Sequence, residues 1–244
     1  MIRSEWSDDV LEITIDRADK RNALSHSMYD ELTHQIEMAS AEPRCAAIIL
    51  SGAGGMFTAG ADIGDFQTKR NHDDSPAIRY IRALMRTDVP VIAAVEGFAI
   101  GIGSTMLQHC DFVYTTAQTR FRMPFVQLGL CPEAGSSVLL ERIVGTRRAR
   151  EWLLQCKPFT GSEALEAGFA TALAEPGNTL MLARAAAQDL TRMPRTSLRQ
   201  SKALLRNMSQ AELMQTVDEE VRTFNDLLNT DDTQRIFKAF MENA

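Results

Sequence analysis

The sequence predicts an α/β protein, with strand–helix units over roughly the first 175 residues and helices alone thereafter. Three observations carry that prediction. Ala46-Ala47-Ile48-Ile49-Leu50 and Val91-Ile92-Ala93-Ala94-Val95 are short, uninterrupted apolar runs, the pattern of strands covered on both faces. Helical periodicity separates the two runs. From about residue 178 onward every periodic segment is helical.

The elements follow in order. Val10-Leu11-Glu12-Ile13-Thr14-Ile15 alternates as a half-buried strand does. Ser27 is read as opening an amphipathic helix, with Met28, Leu32, Ile36 and Ala39 on one face and Asp30 at the third helical position. Residues 67–75 are polar and read as a loop, ending in Ser75-Pro76, a cap followed by proline in the first turn. Ile78, Ile81, Leu84 and Met85 continue that helix, and Pro90 stops it. Phe112-Val113-Tyr114 and Phe121-Arg122-Met123 read as short strands, and residues 135–143 and 146–156 as helices. Thr160 with Glu163, and Ser209 with Glu212, are capping boxes. Gly168 suits the end of the first of those helices. The second runs to about Asn229, and a last short helix covers 232–241.

Length and composition narrow the function classes. A chain of 244 residues with 45% hydrophobic and 24% charged residues is an ordinary globular protein large enough to bury its own core. Its net charge of −6 disfavours a nucleic-acid partner. No apolar run reaches the ~18 residues of a membrane span. The four cysteines (Cys45, Cys110, Cys131, Cys156) form no metal-ligand spacing and read as reduced thiols of a cytoplasmic protein. Neither the polar start, MIRSEWSDD, nor the final MENA reads as a targeting signal.

Chemistry is concentrated in three places. Residues 52–63 and 97–105 each follow a buried strand and are rich in glycine and alanine. Such stretches are either tight turns or backbone sites whose N–H groups face an anion. Neither has a phosphate-loop or dinucleotide pattern. Two amides converging from separate loops on one oxygen would stabilise an enolate or a tetrahedral intermediate. The third place is Glu133, a lone carboxylate among glycine, proline, hydroxyl and apolar residues. By elimination it is the best acid–base candidate, since apolar surroundings raise a carboxyl pKa toward neutrality. The alternative is a glutamate that caps the helix beginning near residue 135. The histidines share no local pattern, Ser136 and Ser137 read as helix-start residues, and Asp111 and the Arg147, Arg148, Arg150 group read as structural or solvated.

Three motifs in register resemble the crotonase family over essentially the whole chain: Arg17-Ala18-Asp19-Lys20-Arg21-Asn22-Ala23-Leu24, Phe57-Thr58-Ala59-Gly60-Ala61-Asp62-Ile63, and residues 97–103. The resemblance implies a crotonase-like spiral of ββα units, 1–190, followed by a helical C-terminal trimerisation region, 191–244, in trimers or dimers of trimers. It implies an acyl-CoA thioester as substrate and no separate cofactor, coenzyme A being part of that substrate. The thioester oxygen is expected at the Ala61 and Ile102 amides. By resemblance Lys20 and Arg21 lie near the nucleotide phosphates. Ala23, Ala59, Gly60, Asp62 and Ile63 line the path of coenzyme A, and Phe240 packs on it from the adjacent subunit, with Lys238 in place of a missing basic residue.

Where this sequence departs from the family pattern, the departures bear on the reaction. Thr105 and Phe125 stand where the family's hydratases carry their two glutamates. The stretch from Pro124 to Ser137, P-F-x-x-L-G-x-x-P-E-x-x-S-S, resembles the branch that isomerises 3-enoyl-CoA to trans-2-enoyl-CoA, with Glu133 as its one acid. The competing expectations are a 2-enoyl-CoA hydratase and a catalytically degenerate acyl-CoA-binding protein.

Overall fold

The computed structural model describes residues 1–62, 64, 75–207 and 210–242; the side chains of Asn207, Phe240 and Met241 are outside the description. Expectations for Ile63, for residues 67–74 and for the Ser209 capping box therefore lie outside the described residues.

The chain opens with β1 (Ile2–Ser7) paired antiparallel to β2 (Val10–Ile15). Helix α1 (His26–Ala41) follows, then β3 (Ala47–Gly52), α2 (Pro76–Arg86), β4 (Val91–Val95), β5 (Phe98–Ile100) and the short α3 (Ile102–Thr105). Next come β6 (Phe112–Thr116), β7 (Arg120–Arg122), α4 (Ser136–Val144), α5 (Thr146–Leu154), β8 (Phe159–Thr160), α6 (Gly161–Glu166) and β9 (Ala172–Ala174). The chain ends in α7 (Thr179–Thr191), α8 (Arg195–Asn207), α9 (Gln210–Leu228) and α10 (Asp231–Glu242). One sheet has the order β1-β2-β3-β4-β6-β9, parallel from β2 onward. A second, small sheet has the order β5-β7-β8.

The uninterrupted apolar runs have a physical reason. Side chains alternate across a strand, so β3 and β4 send Ile48, Leu50, Val91, Ala93 and Val95 into the main core. Ala47, Ile49, Ile92 and Ala94 go to the other face, where Ala183 and Ala187 of α7 cover them. Both faces are dry, so polar alternation would be costly.

Several expected details hold. Ser75 accepts a hydrogen bond from the Ile78 amide with proline in the first turn, and Thr160 and Glu163 form a complete capping box. The Asp111 carboxylate is structural: it accepts from the Val91 amide at 2.7 Å and pairs with buried Lys202 of α8 at 2.6 Å. One expectation is corrected. The N-cap position of helix α1 is Ser25, whose side chain caps no amide, and not Ser27, so Asp30 is its fifth residue and pairs with Arg79 instead of serving the first turn. The cause is tertiary: the Leu24 amide donates to Gly60 O and its carbonyl accepts from Asp62, pinning the chain just before the helix.

The C-terminal helices share the core of the sheet. Val217, Val221, Leu228 and Phe237 belong to the same buried cluster as Leu50 and Val95. Among the described residues no helix is long and apolar enough to cross a membrane.

Candidate active site

The first glycine-rich loop is stitched on both sides. Thr58 donates to Phe98 O and accepts from Ile100, which ties the loop to β5. Asn22, fully buried at φ 57°, donates to Ala53 O and Met56 O and accepts at its carbonyl from the Thr58 hydroxyl. Gly60 must be glycine, because its φ is +91° and a Cβ there would lie 2.5 Å from Ile100 O. On the other side, the bonds between Leu24 and this loop use Gly60 O and the Asp62 amide, and so skip Ala61. Among the described residues the Ala61 N–H has no protein acceptor.

Among the described residues the second loop leaves another amide free. Gly101, at φ 56°, donates to Arg122 O, and its carbonyl accepts from Ser104 and Thr105. Ile102 is then the first residue of α3, where a backbone N–H has no intrahelical partner. The two loops touch: a Cβ on Gly103 would come within 2.5 Å of Thr58 Cγ2. The Ile102 side chain packs into the main core, which reconciles its bulk with a backbone role.

Ala59, Gly60, Ala61, Asp62, Ile102 and Glu133 line one cavity of about 360 Å³. Its walls are mostly apolar. Phe125, at a position of a hydratase glutamate by resemblance, is one of them, and Val221, Phe224 and Phe237 close it from α9 and α10.

Glu133 lies in a turn just before α4, with Ala134 and Gly135 both at positive φ. It is 8% exposed, and its carboxylate accepts a hydrogen bond from the Thr105 hydroxyl. Burial pushes its pKa up to about 8; the Thr105 bond pulls the other way, and the negative charge of Glu220 adds to the rise. The turn itself is fixed by Ser136, which donates to Glu133 O through its amide and its hydroxyl, and by half-buried His109, whose Nε2 bonds Ala134 O at 2.8 Å. Burial pushes that imidazole down to about 4, so it is neutral at physiological pH.

The helix-capping alternative for Glu133 does not hold. The start of α4 is capped from far away, by Glu220 on α9. Its carboxylate accepts from the Gly135 amide at 2.6 Å, the Ser137 amide at 2.9 Å and the Ser137 hydroxyl at 2.6 Å. The Glu133 side chain thus faces the cavity and serves no backbone group. Sequence reasoning missed Glu220, although it had left a trace. Glu220 falls on the apolar face of α9 with Val217, Val221, Phe224 and Leu228, an odd place for an acid.

The remaining expected site residues divide. Asp62 pairs with Arg17 at 2.7 Å, and that guanidinium holds its carboxyl below the usual range. Ala23 is half-buried, with its carbonyl on Arg17. Lys20 and Arg21 are exposed beside the first loop, Arg21 O accepting from the Ala59 amide at 3.0 Å, but neither lines the cavity. Lys238 is exposed on α10 and also outside the lining. The cysteines are free thiols, and burial raises Cys45 and Cys131 to about 11 and Cys110 to about 12. Among the described residues no group of three His, Cys, Asp or Glu side chains could hold a metal ion.

Comparison with known proteins agrees with this geometry. The solved structure of Pseudomonas aeruginosa OdaA is 37% identical, with a TM-score of 0.95 and 98% of each chain covered. A Mycobacterium leprae protein named probable enoyl-CoA hydratase is 28% identical over 94% of this chain and 90% of its own. An Escherichia coli 2,3-dehydroadipyl-CoA hydratase is 29% identical over 96% of this chain and 92% of its own. The family described as enoyl-CoA hydratase/isomerase matches residues 5–244. With two unengaged loop amides and a buried acid set in a fold shared from end to end, the chain belongs to the enoyl-CoA hydratase/isomerase family of acyl-CoA-processing enzymes.

Proposed function

We propose that the protein isomerises 3-enoyl-CoA to trans-2-enoyl-CoA. The observation that carries this reading is a single buried carboxylate, Glu133, in an apolar cavity that also holds two amides without protein acceptors. In the proposed reaction the thioester oxygen accepts from the Ala61 and Ile102 amides. Ionised Glu133 removes a proton from C2, and the charge spreads over a dienolate whose oxygen lies between the two donors. Protonated Glu133 then returns that proton to C4. The C3–C4 double bond is thereby replaced by one between C2 and C3, with no net gain or loss of atoms. A pKa near 8 suits this double duty, because the carboxyl must give back what it takes. Lys20 and Arg21 are proposed to meet the nucleotide phosphates, and Ala23, Ala59, Gly60, Asp62 and Ile63 the adenine and pantetheine path. Phe240 and Lys238 are proposed to reach coenzyme A from a neighbouring subunit. Assembly into trimers or dimers of trimers is proposed as well: Leu204 and Leu205, 69% and 87% exposed on α8, offer apolar surface for a subunit contact, and sedimentation tests the stoichiometry.

A second reading, hydration of 2-enoyl-CoA, is favoured by the hydratase names of the Mycobacterium leprae and Escherichia coli relatives. Against it stand Thr105 and Phe125, neither of which can activate a water. One assay separates the readings. Growth of the conjugated enoyl absorbance from 3-enoyl-CoA supports isomerisation. Its decay from 2-enoyl-CoA, with no activity on the 3-enoyl ester, supports hydration and overturns the proposal.

A further inference from the structure

Glu133 is held by groups from two distant parts of the chain. Thr105, 0% exposed at the end of α3, donates its hydroxyl to the carboxylate. Glu220, 7% exposed on α9, takes two amides and a hydroxyl of the turn and helix that follow Glu133. Every one of these contacts to Glu220 is a donor facing a carboxylate oxygen, at a helix start where negative charge is favoured, so the cap favours the ionised form of Glu220 against the burial that raises its pKa. Its backbone carbonyl is also the acceptor for the Cys131 thiol, two residues before Glu133, at 3.6 Å.

We propose that Thr105 and Glu220 are positioning residues for the Glu133 carboxylate: the Thr105 hydroxyl sets its orientation, and Glu220 locks the turn that carries it to the C-terminal helix α9. The inference rests on the isomerase reading, in which one carboxylate must reach both C2 and C4. A carboxyl that swings freely would serve one carbon at the expense of the other. A hydrogen bond to one oxygen leaves the second directed at the substrate.

The two residues act on charge in opposite senses, and this separates positioning from mere structural support. A hydroxyl donating to the carboxylate favours its ionised form, and a nearby anion disfavours it. The other titratable groups around Glu133 do not blur this. His109 is neutral, and the Cys110 and Cys131 thiols are kept protonated by burial. Lys202 is occupied by Asp111. Across the cavity Asp62 pairs with Arg17, and Arg122 bonds Gln127 and Cys156 O. Among the described residues His26 and Tyr29 complete the titratable groups of the cavity wall.

The test is an infrared difference titration of the Glu133 carboxyl band, taken without substrate and assigned by its loss in Glu133→Gln. In the parent protein the band should titrate near pH 8. Thr105→Val should move the midpoint up by about one to two pH units, the worth of one hydrogen bond to a charged group. Thr105→Ser, which keeps the hydroxyl, should titrate as the parent does. Glu220→Gln should move the midpoint down. The acid limb of kcat/KM for the 3-enoyl ester should follow each shift, and kcat should fall with KM unchanged. Ser137→Ala, which removes one donor from Glu220, is a milder probe of the same cap and should lower kcat alone. A Thr105→Val midpoint equal to that of the parent, or a Glu220→Gln midpoint that rises, overturns the inference. An isomerase rate that survives Glu133→Gln instead defeats the reading beneath it. The infrared titration does not depend on that rate, so the two failures are told apart.

Discussion

Two glutamates sit buried in this protein, Glu220 close enough for Glu133 to feel its charge, and they behave as opposites. Glu220 is saturated: three donors converge on its two oxygens, and it closes the start of α4. Glu133 has one side-chain partner, the Thr105 hydroxyl, and an open cavity in front of it. Burial raises the pKa of both. In Glu220 that effect is opposed by the donors of the helix start, whereas in Glu133 only one hydroxyl opposes it. The difference shows how a fold marks an acid for chemistry: it removes the acid from water and then withholds the hydrogen bonds that would quench it. A buried carboxylate with a full set of donors is a cap. One that lacks them, beside a cavity, is the candidate proton carrier.

Removing each acid in turn should therefore give opposite phenotypes. The largest expected effect is on rate. Glu133→Gln should lower isomerase kcat by roughly 10²–10⁴-fold, the worth of a general base, with the fold intact by circular dichroism. Glu220→Ala should instead cost stability, roughly 2–4 kcal/mol, because two backbone amides lose their acceptor, and denaturant unfolding reads this directly. A smaller effect has a sign that depends on pH. The Glu133 pKa is about 8 in the folded protein against an ordinary 4.5, so the folded state binds its proton more tightly than the unfolded state. Below about pH 4.5 both states are protonated and Glu133 costs nothing; the cost builds as pH rises and is complete above about 8. Glu133→Gln should accordingly melt higher than the parent at about pH 9, and that advantage should vanish by about pH 4. At the far end of the scale, Asp189→Asn breaks an ion pair whose side chains are 71% and 70% exposed, and should change stability by less than about 0.5 kcal/mol. A Glu220→Ala protein as stable as Asp189→Asn would erase the contrast on which the comparison rests.

How much of this was legible in the sequence depended on how local the cause was. The central strands were readable because both faces are dry, and the Ser75 and Thr160 caps because their partners lie three residues away. β1 was not readable: from Arg3 to Ser7 its side chains are exposed and carry no alternation. β5, β8 and β9 are too short for a period to register. The Ser27 cap failed because a contact with Gly60 fixes Leu24, and no local rule contains that contact. The site divides in the same way. Glu133 stood out by elimination, and the Ala61 and Ile102 amides through motif resemblance. The groups that tune Glu133 did not stand out, since Thr105 is 28 residues from it and Glu220 is 85 residues from the Gly135 amide it accepts. The contacts around the acid are tertiary.

The most direct test of the central claim follows a label. A 3-enoyl-CoA ester deuterated at C2, incubated with the parent protein, should yield trans-2-enoyl-CoA in which a measurable share of the deuterium has moved to C4, and Glu133→Gln should lose that transfer along with turnover. A product that takes its C4 hydrogen wholly from solvent while Glu133→Gln turns over at the parent rate, or a 3-hydroxyacyl-CoA formed in its place, would contradict the account.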